Sequence, residues 1–189
     1  SALVGVTNEG QLVLFDSSKV QIEREQNLAR EPRDSVTLAD ATPAAVGDLA
    51  LKVDCVRWLG ALLRAAQIAG AAAACLEMSV RYTSEREQFG RALSQFQAIQ
   101  HHLAELAGAM TSIDTMARTA FQAVDARGLA AGAGRDAGFE IAAAKCRASE
   151  AVEMLTRLAH QVHGAIGFTY EYDLQFLTRS EEHTSELQS

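Results

Sequence analysis

Two hydrophobic periods divide this chain near residue 50. Upstream, short runs of branched and aromatic side chains at residues 3–6, 12–15, 20–22 and 36–38 are separated by turn formers such as Asn8-Glu9-Gly10, Asp16-Ser17-Ser18 and Pro32-Arg33-Asp34. That texture predicts a few antiparallel strand pairs. So little sheet, standing alone, would leave its edges and one apolar face uncovered. Downstream, apolar residues recur at spacings of three and four, the period of a helix with one face in a core. Val53, Val56, Leu59, Leu63, Ala66, Gly70, Ala73, Leu76 and Val80 form the first stripe. Its opposite side is also poor in charge, so this helix is expected at the centre of a bundle, buried on several sides.

A second stripe runs through Phe96, Ile99, Leu103, Leu106, Met110, Ile113, Ala117, Ala120 and Val124. Alternating steps of three and four make a heptad seam, which a coiled coil and a bundle helix crossing its neighbours at a shallow angle share. Helical patterns on either side favour the bundle. Residues 128–134, Gly-Leu-Ala-Ala-Gly-Ala-Gly, read as a loop. A third helix is expected from Arg135 or Asp136 to His163, with Ile141, Ala144, Ala148, Val152, Leu155, Ala159 and Val162 inward, and a short fourth from Glu171 or Tyr172. The fold class is therefore mainly α: an up-down antiparallel helical bundle over residues 51–179, preceded by a remnant of a β-domain over residues 1–50.

Charge removes one class of partner. At a formal net charge of -7 and a pI near 5.2, the chain offers no basic face for a phosphate backbone, so no nucleic acid is expected. Arg64, Gln67 and Glu77 interrupt the apolar run at 58–80, and no signal peptide is visible, which argues for no membrane span. Cys55, Cys75 and Cys146 are an odd set without metal-ligand spacing, read as reduced, packed thiols of a cytoplasmic protein. His160 and His163 share a helix face, but no carboxylate or cysteine completes a ligand set, so no metal is assigned.

Chemistry concentrates at residues 81–97, between the first two helical patterns. Arg86, Gln88, Phe89, Arg91, Phe96 and Gln97 combine planar guanidinium forks for phosphate oxygens with flat apolar rings, and Gly90 lets the backbone turn. Read on their own, these residues fit equally a helix end with ordinary surface charge, with Phe89 and Phe96 packed into a core. Arg86-x-Gln88-Phe89-Gly90, followed by a helix carrying Phe96-Gln97, resembles the linker between the first two C-terminal helices of acyl-CoA dehydrogenases. A second stretch, Gln161-Val162-His163-Gly164-Ala165-Ile166-Gly167-Phe168-Thr169 with Glu171, is similar to that family's Q-x-x-G-G-x-G-[YF]-T-x-E turn, with Ala165 where the family commonly has its second glycine.

The resemblance implies an FAD cofactor held across a subunit interface. Arg86 would reach the pyrophosphate of a neighbouring protomer's FAD, with Gln88, Phe89, Phe96 and Gln97 adding polar and ring contacts. Gln161, His163, Gly164 and Ala165 would form a second cofactor-binding turn. The two loops are expected at opposite ends of the helical trio, jointly gripping one flavin. Residues 1–50 would be the end of the family's middle β-domain, with Asp40-Ala41-Thr42-Pro43 and Val46-Gly47 as its exit. The whole enzyme would oxidise an acyl-CoA to a 2-enoyl-CoA as a dimer or tetramer and pass electrons to an electron-transfer flavoprotein.

No catalytic residue is assigned. Dehydrogenation needs a carboxylate to take the α proton while hydride leaves the β carbon. One place the family carries it falls here on Gln188; the other falls on the first helix near Gly60, where Leu59, Gly60 and Ala61 cannot accept a proton. Glu171 matches an acidic position that is not the family's base. Residues 180–189 resemble the in-frame translation of a sequencing adapter and are expected to be non-native; without Glu181, Glu182 and Glu186 the charge goes from -7 to -4. The opening Ser1-Ala2-Leu3, without Met, suggests an internal fragment, inactive by itself. Two other readings stay open: a non-catalytic subunit of a heteromeric dehydrogenase, and a helical interaction module without enzymatic role.

Overall fold

The structure is a computed structural model, and it describes residues 2–27, 30–48, 54–129, 136–168, 174 and 177. Five short strands come first. β1 (Ala2–Val6) and β2 (Gln11–Asp16) form an antiparallel hairpin in which Val4 faces Leu14. Gly10, at φ 83°, closes its turn by donating to the Thr7 carbonyl at 3.0 Å. β3 (Gln21–Glu23) pairs with β4 (Ser35–Thr37), and β5 (Ala45–Asp48) adds to the other edge of β2, giving the order β1-β2-β5.

The first four strands fall on the runs the sequence marks; β5 does not. Val46, expected in an exit from the sheet, instead pairs with Val13. Its strand has a single large apolar side chain, so backbone pairing alone reveals it. Among the described residues of these five strands only Phe15 is buried, while Val4 is 64% and Val46 57% exposed. Val4 pairs with Leu14 and Val46 with Val13, so the two exposed valines stand on opposite faces and each face of this small sheet keeps apolar surface bare.

Three helices follow: α1 (Asp54–Glu85), α2 (Gln97–Arg127) and α3 (Gly138–His163). Gly128, at φ 74°, ends α2 by donating to the Val124 carbonyl, and Gly164, at φ 64°, ends α3 by donating to the His160 carbonyl. Both are the left-handed residues that suit a helix C-terminus. α3 starts two or three residues later than the sequence suggests, because the Asp136 carboxylate accepts the Gly138 N–H at 3.1 Å and turns the chain first. The expected short fourth helix from Glu171 or Tyr172 and the adapter-like residues 180–189 lie outside the described residues.

The three helices pack on one another around Leu62, Ala65, Ile68, Ala69 and Ala72 of α1, Leu106, Ala109, Ile113, Ala117 and Ala120 of α2, and Ile141, Ala144, Ala148, Ala151, Leu155 and Leu158 of α3. The expected seams of α2 and α3 face inward. That of α1 does not: Val56, Leu59, Leu63 and Val80 are 43–50% exposed, and the buried face runs through Cys55, Leu62, Ala65, Ala69, Ala72, Cys75, Ser79 and Thr83. Instead of being covered on several sides, α1 buries one face in this chain. Because both faces are apolar, spacing could not choose between them; the face with small side chains lets the backbones approach closely. α1 is long and apolar enough to cross a membrane despite Arg64, Gln67 and Glu77, yet here its small-residue face is the core of a bundle.

Polar ties fix the register. Arg127 pairs with Glu140 at 2.6 Å, which holds that carboxyl below its usual range, and Arg147 donates to the Ser112 hydroxyl at 2.9 Å. Cys55 and Cys75 are packed, and burial pushes the Cys75 thiol up to about 11, leaving it unreactive at neutral pH. Cys146, expected to be packed, is exposed on α3, its Sγ 3.6 Å from Glu150 Oε1. The helices run up, down and up. The Trp58 ring near the start of α1 therefore lies against Gly138 at the start of α3, and Tyr82 near the end of α1 meets His163 at the end of α3.

Candidate functional site

This last contact decides where the two sequence motifs sit. Residues 86–92 follow α1 and residues 164–168 follow α3, so both turns lie at the same end of the bundle and not, as expected, at opposite ends. An odd number of helices between two loops puts them apart; two helix lengths bring them back together.

The first turn is a small hairpin, which the sequence showed only as a glycine bend. β6 (Glu87–Gln88) pairs with β7 (Arg91–Ala92), so Gln88 faces Arg91 across a two-residue loop of Phe89 and Gly90. Both loop residues have positive φ, 54° for Phe89 and 77° for Gly90, as the tightest hairpin loops require. Gly90 adopts that conformation freely. A bulky ring at positive φ is strained, a feature that persists when surrounding structure enforces it. The Arg86 N–H bonds the Tyr82 carbonyl at 2.9 Å and its carbonyl accepts from Leu93 at 2.8 Å, so the hairpin is fixed directly to the end of α1.

Phe89 is 93% exposed, which removes core packing as its role. Its ring meets Phe96 edge-on at 6.3 Å, and the Arg91 guanidinium lies 4.0 Å from the Phe96 ring centre. Phe96 is half-buried and caps α2 without a side-chain hydrogen bond. Arg86, Gln88 and Gln97 are exposed, and their side chains make no hydrogen bond or ion pair with other described residues. The open N-terminus of α2 adds outward N–H groups and the positive end of a 31-residue helix dipole.

In the second turn, Gln161, Gly164 and Ala165 are exposed, and a Cβ added at Gly164 would meet nothing within 4 Å. Gly167 is the opposite case: a Cβ there would come within 3.1 Å of His160 Nδ1 and His163 Cβ. His163, expected among the cofactor contacts, is 3% exposed and points inward. Its Nδ1 lies 2.8 Å from the Ala159 carbonyl and its ring stacks on Tyr82 at 4.8 Å and 27°. Burial lowers its pKa, with the Ala159 and Met78 carbonyls pulling the other way. The phase was legible, since His163 stands four residues after Ala159 of the inward stripe. Tyr82, the partner of His163 in this contact, carries no comparable signal in the sequence.

Around Gly60 the outward face of α1 carries no carboxylate. An open recess of about 840 Å³ beside it is lined by Gly60, Leu63, Arg64 and Gln67 together with Glu31 and Arg33. Glu31 is held by Arg33 at 2.7 Å and by Asn27 at 2.9 Å. Among the described residues no group of three or more His, Cys, Asp or Glu could hold a metal ion.

Comparison with known proteins fixes the class. The family model for the acyl-CoA dehydrogenase C-terminal domain matches residues 59–184, and the chain belongs to that family. It is 35% identical over 115 residues to acyl-CoA dehydrogenase IpdE2 of Mycolicibacterium smegmatis, covering 61% of this chain and 33% of that one. Butyryl-CoA dehydrogenase of Megasphaera elsdenii superposes with a TM-score of 0.78 at 22% identity, covering 97% of this chain and 51% of that one. The ChsE4-ChsE5 complex of Mycobacterium tuberculosis gives a TM-score of 0.71 at 21% identity, covering 97% and 50%. The chain thus spans about half the length of these solved chains and a third of the curated relative.

Proposed function

We propose that this chain is the flavin-holding C-terminal part of an FAD-dependent acyl-CoA dehydrogenase, in which Arg86, Gln88, Phe89, Phe96 and Gln97 from one turn and Gln161, Gly164 and Ala165 from the other contact the FAD of an adjacent protomer. The observation that carries this reading is the meeting of both motifs at one end of the bundle. The residues fit the group. A dinucleotide presents a doubly anionic pyrophosphate and flat rings, and this end offers uncommitted guanidinium and amide donors, an exposed phenyl ring, a helix N-terminus and backbone open at Gly164. The chemistry the cofactor would supply is a hydride acceptor for the β carbon of an acyl-CoA, and a 2-enoyl-CoA would form as a carboxylate from outside the described residues takes the α proton. This chain's share would be to bind and orient the cofactor. An electron-transfer flavoprotein as electron acceptor, a dimer or tetramer, and a cytoplasmic location consistent with three free cysteines complete the proposal. Residues 1–50 would close a middle β-domain, 51–179 form the bundle domain and 180–189 be foreign to it.

One observation favours a second reading. Neither Gly60 nor its neighbours on α1 can act as the base, and one structural neighbour is a complex of two differently named proteins. A heteromeric dehydrogenase would let this chain supply flavin contacts while its partner supplies the carboxylate.

The test is flavin retention by the whole natural polypeptide. It should purify yellow and oligomeric, and Arg86→Ala should weaken FAD binding by roughly tenfold to a hundredfold, the loss of a charge-assisted bidentate contact. Unaltered flavin content in that variant would remove Arg86 from the site.

A further inference from the structure

Between the two turns lies a contact that neither motif includes. Tyr82 sits in the last turn of α1, and its carbonyl holds the Arg86 N–H at 2.9 Å. His163 is the final residue of α3, one peptide bond before Gly164. Their rings stack at 4.8 Å, nearly parallel at 27°, with His163 only 3% exposed. The ring is tied back to its own helix through Ala159 at 2.8 Å, and the turn folds over it so closely that a Cβ at Gly167 would crowd His163 Cβ at 3.1 Å. One ring is therefore a single hydrogen bond from the first turn, and the other a single covalent step from the second.

We infer that Tyr82 and His163 are positioning residues: their stack clasps the hairpin at 86–92 to the turn at 164–168, so that flavin affinity depends on a pair of rings that does not touch the flavin. This rests on the assignment of both turns to one cofactor. A ligand held from two sides binds well only when both sides keep their spacing. Two helices that can slide or splay at their ends do not guarantee this, and a stacked pair at the shared end does. An imidazole suits the buried place better than an aliphatic side chain, because its Nδ1 lies 2.8 Å from the Ala159 carbonyl while its face stacks on Tyr82.

The experiment uses the whole natural polypeptide, stripped of flavin and titrated with FAD by fluorescence quenching. Amide hydrogen exchange is measured on the flavin-free protein. His163→Leu and Tyr82→Leu should each weaken FAD about tenfold, and the double variant no further, as expected for two halves of one coupling. His163→Gln keeps a donor for Ala159 without the ring and should behave like His163→Leu, whereas Tyr82→Phe keeps the stack and should bind like wild type. Exchange should rise in 86–92 and 164–168 together and stay unchanged in the middle of α2. Wild-type FAD affinity in both leucine variants, additive losses in the double variant, or exchange rising evenly along all three helices would overturn the clasp. A wild-type protein that binds no FAD would instead sink the flavin assignment, while the exchange pattern would still judge the contact.

Discussion

The two faces of α1 are both apolar and have opposite fates. Inward, Leu62, Ala65, Ile68, Ala72 and Cys75 are at most 4% exposed; outward, Val56, Leu59, Leu63 and Val80 are 43–50% exposed. Most of the inward residues are Ala or Cys, with Leu62 and Ile68 as the large side chains among them. Hydrophobicity says that a surface is to be covered, whereas shape says which surface can pack closely here, and small residues win that choice because three long helices must approach one another along most of their length. Ser79 and Thr83 extend the buried face with hydroxyls that donate to the Cys75 and Ser79 carbonyls at 2.7 and 2.8 Å, so even its polar members need no outside partner. The outward apolar face, left open to solvent, and the bare sheet mark where the chain's packing is incomplete.

The sharpest way to break this comparison uses two adjacent leucines. Leu62→Ala should destabilise the bundle by roughly 2–5 kcal/mol, the transfer loss plus an unfilled cavity, read by chemical denaturation of this chain. Ala65→Leu comes next: overpacking a fully buried alanine should cost about 1–3 kcal/mol, and a silent Ala65→Leu would mean that the small-residue face is looser than it looks. A pH experiment probes the end of the same face. Burial lowers the His163 pKa from its ordinary value of 6.5, so the unfolded chain binds more protons than the folded one. Stability should be fully present above that ordinary value and fall as pH drops through it toward the folded value. In His163→Phe that slope should vanish, and an unchanged slope would assign it to another group. Leu63→Ala should be the mildest, within about 0.5 kcal/mol in this chain, because half its surface already meets solvent. A loss matching that of Leu62→Ala would show that the outer face is covered after all.

How much was legible varies by element for identifiable reasons. Long, regular stripes marked α2 and α3 and their inward faces, because polar residues such as Asp114, Arg118, Glu153 and Arg157 occupy their outer sides. α1 lacked that contrast, so its existence was plain and its facing was not. β5 escaped because it has a single large apolar residue, and the hairpin at 87–92 because strands of two residues show no alternation. Phe89 was readable both as a cofactor contact and as core packing, and its positive φ and exposure removed the second reading. Arg86, Gln88 and Gln161 were readable as candidates from their side-chain chemistry, whereas His163, expected among the cofactor contacts, turns inward in a phase its spacing from Ala159 could have shown.

By itself, the order of residues determined three helices, a strand-rich start and two chemically distinctive turns, since periodicity, glycine placement and side-chain type are local properties. Which side of α1 enters the core, that both turns share one end of the bundle, and that Tyr82 and His163 join them were decided by tertiary structure. Those outcomes depend on close packing between segments about 75 residues apart, and no local spacing encodes how two distant surfaces fit.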